Sequence, residues 1–323
     1  MTIQQMLLGA KSAGGASLDI QLTAGGYGRT FSSATLNNNS ALTITSTWGY
    51  SGYYAFIIPA SDTYRIEARG VNGTYTPVST PRTPENYGAQ IIADVAVTAG
   101  NVLIFMAGQQ DNSAVSDGQG AGGGGMSGVA YSTNTTNSTS SVNTSTALVI
   151  AGGGGGSCYN GHYGYTTSTA RGYANTGQVG RAGLHSGYTA EGHGWTVGGG
   201  GQASTASYSV AAWNGGGFNT DGTGTSARSG GSHGGAFRNG GVGGYGQGAS
   251  GGHGGFGGGG GGAQNCGYGG GGGGYSGGGS GGYASSCGGH GGGGGSYYTG
   301  SLVTAQNYSS AFGYVRIRSS DLY

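Results

Sequence analysis

The chain has 323 residues, a formal net charge of +1 and only 7% charged residues, with 84 glycines and 4 prolines. That balance lacks the basic stripe used to hold nucleic acid, and few prolines without a sustained Gly-X-Y period exclude collagen. No apolar run approaches a membrane-spanning helix, so membrane insertion is not expected, and so low a charge leaves little electrostatic protection against self-association.

In chain order, residues 1–40 read as a segment apart, glycine-spotted and mixed. Its opening carries Ile3, Met6, Leu7 and Leu8 without a basic n-region or a long h-region. This is not a signal peptide, and the four apolar side chains are expected to anchor the chain in an assembly. Residues 41–323 read as one all-β domain. Strands are expected at 41–45, at 53–58 before Pro59, and at 64–68, where Tyr64, Ile66 and Ala68 alternate with Arg65, Glu67 and Arg69. Residues 89–97 and 102–107, joined by Thr98-Ala-Gly-Asn101, read as a hairpin. A further strand at 147–151 runs straight into five glycines, and a last one at 312–318 follows the glycine-rich block. The block is therefore an insertion within a domain, with strands on both sides of it.

Residues 118–300 hold 70 of the 84 glycines. Glycine loses more backbone freedom on folding than any other residue, so ordering that many opposes folding by on the order of 100 kcal/mol. A disordered linker is one outcome of such a composition. If the block is ordered, runs such as 257–262 and 269–274 have only backbone N–H and C=O groups to pair. A bundle of polyglycine II helices meets that demand: three residues per turn, no internal hydrogen bonds and close packing where no Cβ intervenes. The expected fold is a β-sandwich carrying such a bundle.

Chemistry-bearing constellations are sparse. His162, His185, His193, His233, His253 and His290 are scattered among glycines without paired ligand spacing, so a metal is not expected and capping of backbone carbonyls is. Asn219-Thr-Asp-Gly-Thr-Gly224 resembles one turn of a calcium-binding repeat but occurs once. The single lysine, Lys11, follows no glycine run, so there is no phosphate loop. Ten acidic residues show no paired spacing and no serine–histidine–acid signature. No active site and no cofactor are expected. Cys158, Cys266 and Cys287 are an odd number, which is no disulfide framework. The remaining signal is aromatic: Tyr163, Tyr165, Tyr188, Trp195, Tyr208 and Trp213 fall where glycine purity drops, in a Tyr/Ser/Gly/Asn context like that of antibody binding loops. These six are the expected receptor-contact rings, with simple coverage of the bundle flanks as the alternative.

Five pieces occur in an order that resembles a known family. They are Tyr64-Arg-Ile-Glu-Ala-Arg-Gly-Val-Asn-Gly73, the run 91–109 ending Met106-Ala-Gly-Gln109, Leu148-Val-Ile-Ala151 with its glycines, residues 291–297, and Gly313-Tyr-Val-Arg-Ile317. Together they resemble the glycine-rich domain of the anaplastic lymphoma kinase and leukocyte tyrosine kinase ectodomains and of many phage structural proteins. The resemblance implies a jelly-roll-like sandwich with a layer of polyglycine helices. Residues 1–10 are similar to the openings of tail-fibre-like proteins of marine tailed phages. A tail-fibre or tip protein of a virion, synthesised in the host cytoplasm, is what these resemblances imply. Its partners would be other virion proteins, further copies of itself, and a host saccharide or outer-membrane protein. A purely architectural virion subunit and a soluble ice-binding protein are the alternatives.

Overall fold

The computed structural model describes residues 18–74, 86–112, 119–158, 172–183, 192–193, 198–203, 212–224, 230–248, 251–264, 267–282, 289–319 and 322. Two antiparallel six-stranded sheets make up most of the regular structure. The first runs β13 (Ser301–Tyr308), β6 (Gly88–Val97), β5 (Asp62–Arg69), β14 (Tyr314–Ser319), β1 (Asp19–Ala24) and β2 (Ala34–Asn38). The second runs β12 (Tyr297–Tyr298), β9 (Thr146–Ala151), β8 (Ser127–Ser132), β7 (Val102–Met106), β4 (Tyr54–Ile57) and β3 (Thr45–Ser46). A two-stranded ribbon pairs β10 (Gly192–His193) with β11 (Gln202–Ala203). Among the described residues the named helices are α1 (Thr139–Asn143) and a 3-10 turn at Phe237–Asn239.

The sheets pack face to face. Ile20, Leu22, Ile66, Ile91, Val315 and Ile317 of the first meet Phe56, Leu103, Phe105, Val129 and Val149 of the second in one buried core. On the outer face of the first sheet the charged residues pair. Arg65 holds Asp94 through two bonds of 2.8 and 2.9 Å, Arg316 holds Asp19 at 2.8 and 2.6 Å, and Arg69 holds Glu67. This explains the period-two text of β5. β7 and β9 read instead as unbroken apolar runs, because the second sheet is covered twice. Its outer face lies under Trp48, Val142 of α1, Phe218, Phe237 and Phe256.

Several elements depart from the sequence reading. β6 and β7 do not form a hairpin; they belong to different sheets, and Thr98–Asn101 is an arch crossing the core, turned at Gly100 with φ 84°. The expected strand at 41–45 is reduced to the two residues of β3. Residues 19–24 and 34–38, within the segment set apart as an anchor, add β1 and β2 to the first sheet. β1 pairs with β14 from Asp19 opposite Arg318 to Thr23 opposite Tyr314. Two strands rather than one close the fold after the glycine-rich block, since β13 precedes β14 and forms an edge. β8 lies inside the block. Its Gly128 leaves room for the Ile150 side chain of β9, into which an added Cβ would run.

Glycine-rich backbone continues the strands at one end of the sandwich. β5 leads to residues 70–74, β9 to 152–158, and residues 119–126 lead into β8. Gly70 N–H still bonds Ala89 O at 2.9 Å and Gly73 N–H bonds Asn86 O at 2.9 Å, extending the β5–β6 alignment beyond the sheet.

Candidate functional site

The glycine layer is built on a repeat of three. Along residues 269–274, successive N–H groups donate in turn to three neighbouring segments at 2.8 to 3.1 Å. Gly269 and Gly272 reach Gly289 and Gly292, Gly270 and Gly273 reach Ala121 and Gly124, and Gly271 and Gly274 reach Trp213 and Gly216. The carbonyls of Gly270 and Gly273 accept from Gly156 and Gly153, that of Gly271 from Gly260, and that of Gly272 from Gly278. Neighbours therefore surround the run. The same step of three recurs elsewhere: Gly120, Gly123 and Met126 donate to Ala263, Gly260 and Gly257. A Cβ at any position from 269 to 274 would fall inside contact distance of a neighbour's backbone oxygen, among them those of Gly156, Gly260 and Gly153. Backbone groups, not side chains, hold the layer together.

The layer has a far end, remote from the sheets. There Ser157 N–H donates to Thr74 O at 3.1 Å, Ala121 N–H to Ser157 O at 3.0 Å, Gly120 N–H to Ala263 O at 2.9 Å and Gly269 N–H to Gly289 O at 2.8 Å. Each of these positions stands within a few residues of a segment outside the described ones: 75–85, 113–118, 159–171, 265–266 or 283–288. The described residues that flank these segments thus gather at one end of the molecule. Residues 18 and 319 lie at the other. Leu18 N–H donates to Ser319 Oγ at 2.9 Å and Ser319 N–H to Leu18 O at 3.0 Å, beside the Asp19–Arg318–Arg65–Asp94 row.

Of the expected contact rings, Tyr163, Tyr165, Tyr188, Trp195 and Tyr208 lie outside the described residues, as do Ile3, Met6, Leu7 and Leu8. Trp213 is placed, and the placement corrects the expectation. It is 3% exposed, packed with Ala212, Ala263 and Tyr268 in a small core at the far end, and Gly231 lies against its ring. A ring with so little accessible surface is part of the scaffold. Sequence reasoning missed instead two exposed rings on the layer's flank. Tyr27 is 40% exposed, and Tyr245, 48% exposed, is covered on one side by the Arg29 guanidinium at 3.4 Å from the ring centre. Nothing in the text around Tyr245 separates it from the other tyrosines set among glycines.

His233, His253 and His290 each accept a hydrogen bond from a backbone amide. His233 Nδ1 accepts from Asn214 N–H at 3.0 Å, His253 Nδ1 from Gly246 N–H at 2.8 Å and His290 Nδ1 from Cys158 N–H at 3.4 Å. His233 also reaches a carbonyl, with Nε2 3.0 Å from Gly224 O. His290 Nε2 lies 3.3 Å from Cys158 Sγ. Burial pushes the Cys158 thiol up to about 12 and holds His290 down to about 4, so both are neutral at physiological pH and the pair is no nucleophilic dyad. Asp221 in the calcium-like segment instead accepts from Ala236 N–H and Asn239 Nδ2, tying the 3-10 turn in place. Among the described residues, no group of three or more His, Cys, Asp or Glu is placed to hold a metal ion. No helix among them is long and apolar enough to cross a membrane.

Compared with known proteins, the chain matches no family model and no curated protein.

Proposed function

We propose that the chain is a non-enzymatic structural protein of a tailed-phage virion, a tail-fibre or tip component that contacts the host surface. In this reading it belongs to the glycine-rich domain family, its sandwich is a jelly roll, and its glycine segments are polyglycine II helices inserted into it. The step-of-three exchange of hydrogen-bond partners along 269–274 supports the helices, since three residues per turn turns each N–H to a new neighbour and returns after one turn.

The observation that carries the function is the polarity of the molecule. Connections that carry Tyr163, Tyr165 and several threonines start from residues at one end of a backbone-bonded layer, whereas residues 18 and 319 meet at the other. A rigid platform between an attachment end and a contact end suits an adhesin, because loops on a fixed base bind without a large ordering cost. Residues 1–17 join β1 at the attachment end and would seat the protein among other virion proteins. The far-end connections would meet a saccharide or an outer-membrane protein.

The test is competition and localisation. Purified chain should block phage adsorption to host cells, and electron microscopy of particles should place it at the fibre tip. A chain lacking residues 1–17 should still fold but be missing from particles. The burial of Trp213 favours the architectural reading to a degree, because it removes one contact ring. That reading takes over if alanine at Tyr163, Tyr165 and Trp195 leaves adsorption unchanged.

A further inference from the structure

The end of the sandwich that carries residues 18 and 319 also holds a half-open cleft of about 330 Å3, where the two sheets part. Its floor is apolar, formed by the buried Ile58 and Leu148. Tyr131, Tyr297, Asn101 and Thr299 stand around it, all half-buried. Among the described residues that line it, none is charged.

The walls are fixed before anything binds. Ile58 N–H donates to Asn101 O at 2.8 Å and Gly100 N–H to Ile58 O at 2.9 Å, which locks the arch that presents Asn101. Thr299 N–H donates to Leu148 O at 2.9 Å. Tyr297 is the outermost member of a ring stack: it lies 4.3 Å from Tyr275 at 19°, and Tyr275 lies 6.2 Å from Phe218 at 29°. Tyr131 sits on β8, held between Leu103 of β7 and Thr146 of β9.

We propose that this cleft binds a neutral saccharide, a hexopyranose or a disaccharide built of them. A pyranose has a C–H face that packs on a tyrosine ring and hydroxyls that bond amide and hydroxyl side chains, which is the chemistry of this wall. The described lining offers no charged partner for a phosphate or carboxylate ligand. The volume lies at the small end of the range for ligand pockets, and a preformed wall keeps the ordering cost low. The site is independent of host contact at the far end. It lies at the opposite end of the molecule, so adsorption can fail with the cleft intact and the reverse.

Saturation-transfer NMR on the full chain tests this, with glucose, galactose, mannose and N-acetylglucosamine as probes and glucuronic acid as the charged comparison. At least one neutral sugar should receive saturation, and Asn101→Ala and Tyr131→Ala should each weaken its binding about tenfold or more. Melting is measured alongside. Where Tyr131→Ala lowers it, Tyr131→Phe and Thr299→Val provide the reading instead, since both keep the volume of the wall. The proposal is overturned by no transfer to any of the four neutral sugars, by stronger binding of glucuronic acid, or by binding that Asn101→Ala and Thr299→Val leave untouched.

Discussion

Valine at Gly272 would set a branched Cβ inside the backbone oxygen of Gly153, a neighbour with no side chain to swing away. The strain has nowhere to relax, so Gly272→Val should cost more than about 3 kcal/mol, at or beyond the upper end of ordinary overpacking. Gly177 is the control. Its nearest atom to an added Cβ is Asn175 Oδ1 at 3.5 Å, and Gly177→Ala should stay within about 0.5 kcal/mol of the parent. Equal melting of the two variants would sink the idea that backbone packing holds the layer. A second residue-scale expectation concerns acid. His290 is half-buried, and desolvation holds its pKa down to about 4 from an ordinary 6.5. Its folded state resists a proton that the unfolded chain accepts. Stability is therefore full above about pH 6.5, falls as pH drops from there to about 4, and loses about 3 kcal/mol over that window. His233 is shifted in the same direction by burial. Asp19 and Asp94, whose pKa values are lowered by their Arg316 and Arg65 hydrogen bonds, lose their contribution only below the ordinary carboxylate value of 3.8. Thermal melts from pH 7 to 4 should show this slope, and His290→Gln should flatten most of it; an unchanged slope would place the effect elsewhere.

The elements differ in how far they can be read from text. β5 and β14 are legible because a one-sided sheet writes its period of two into the sequence, Arg and Glu outward and Ile or Val inward. β1 carries the same signal, with Ile20, Leu22 and Ala24 buried, yet its glycine-spotted surroundings mask it. β13 has no such signal: as an edge strand it exposes Leu302 and Val303 alike, and neither face is written as a core. The arch between β6 and β7 cannot be told from a hairpin locally, because a four-residue turn serves both and only the choice of partner strands separates them. At the candidate site, the glycine runs point to backbone pairing. The burial of Trp213 depends on neighbours far along the chain, Ala263 and Tyr268, which no local pattern reveals. Amide hydrogen exchange gives these distinctions a measurement. Residues 269–274, each with its N–H bonded to another segment, should exchange as slowly as β7 despite having no side chains. Exchange at the rate of free glycine peptide would overturn the bonding scheme.

At the scale of the whole molecule, two kinds of cohesion meet end to end. The sandwich is held by apolar side chains between and outside its sheets, and the glycine layer by paired backbone. Strands pass from one regime into the other without a break, as β5 does at Gly70 and β9 at Gly152. The sandwich thereby fixes the starting height of each glycine segment, and the layer sets the distance between its own far end and residues 18 and 319. Denaturants that act mainly on apolar burial and those that compete for peptide groups should affect the two regimes unequally.

The step of three gives the layer something like a reading frame. One glycine inserted in the middle of 269–274 would turn every later N–H a third of a revolution, away from Gly292, Gly124 and Gly216 and toward the wrong neighbours. Three glycines would restore the phase and leave only a longer connection at the far end. The triple insertion should therefore melt closer to the parent than the single one, an inversion of the usual rule that larger insertions do more harm. Length could then vary in steps of three residues while the hydrogen-bond partners stayed in phase. Melting that worsens steadily from one to two to three inserted residues would show that no such frame exists.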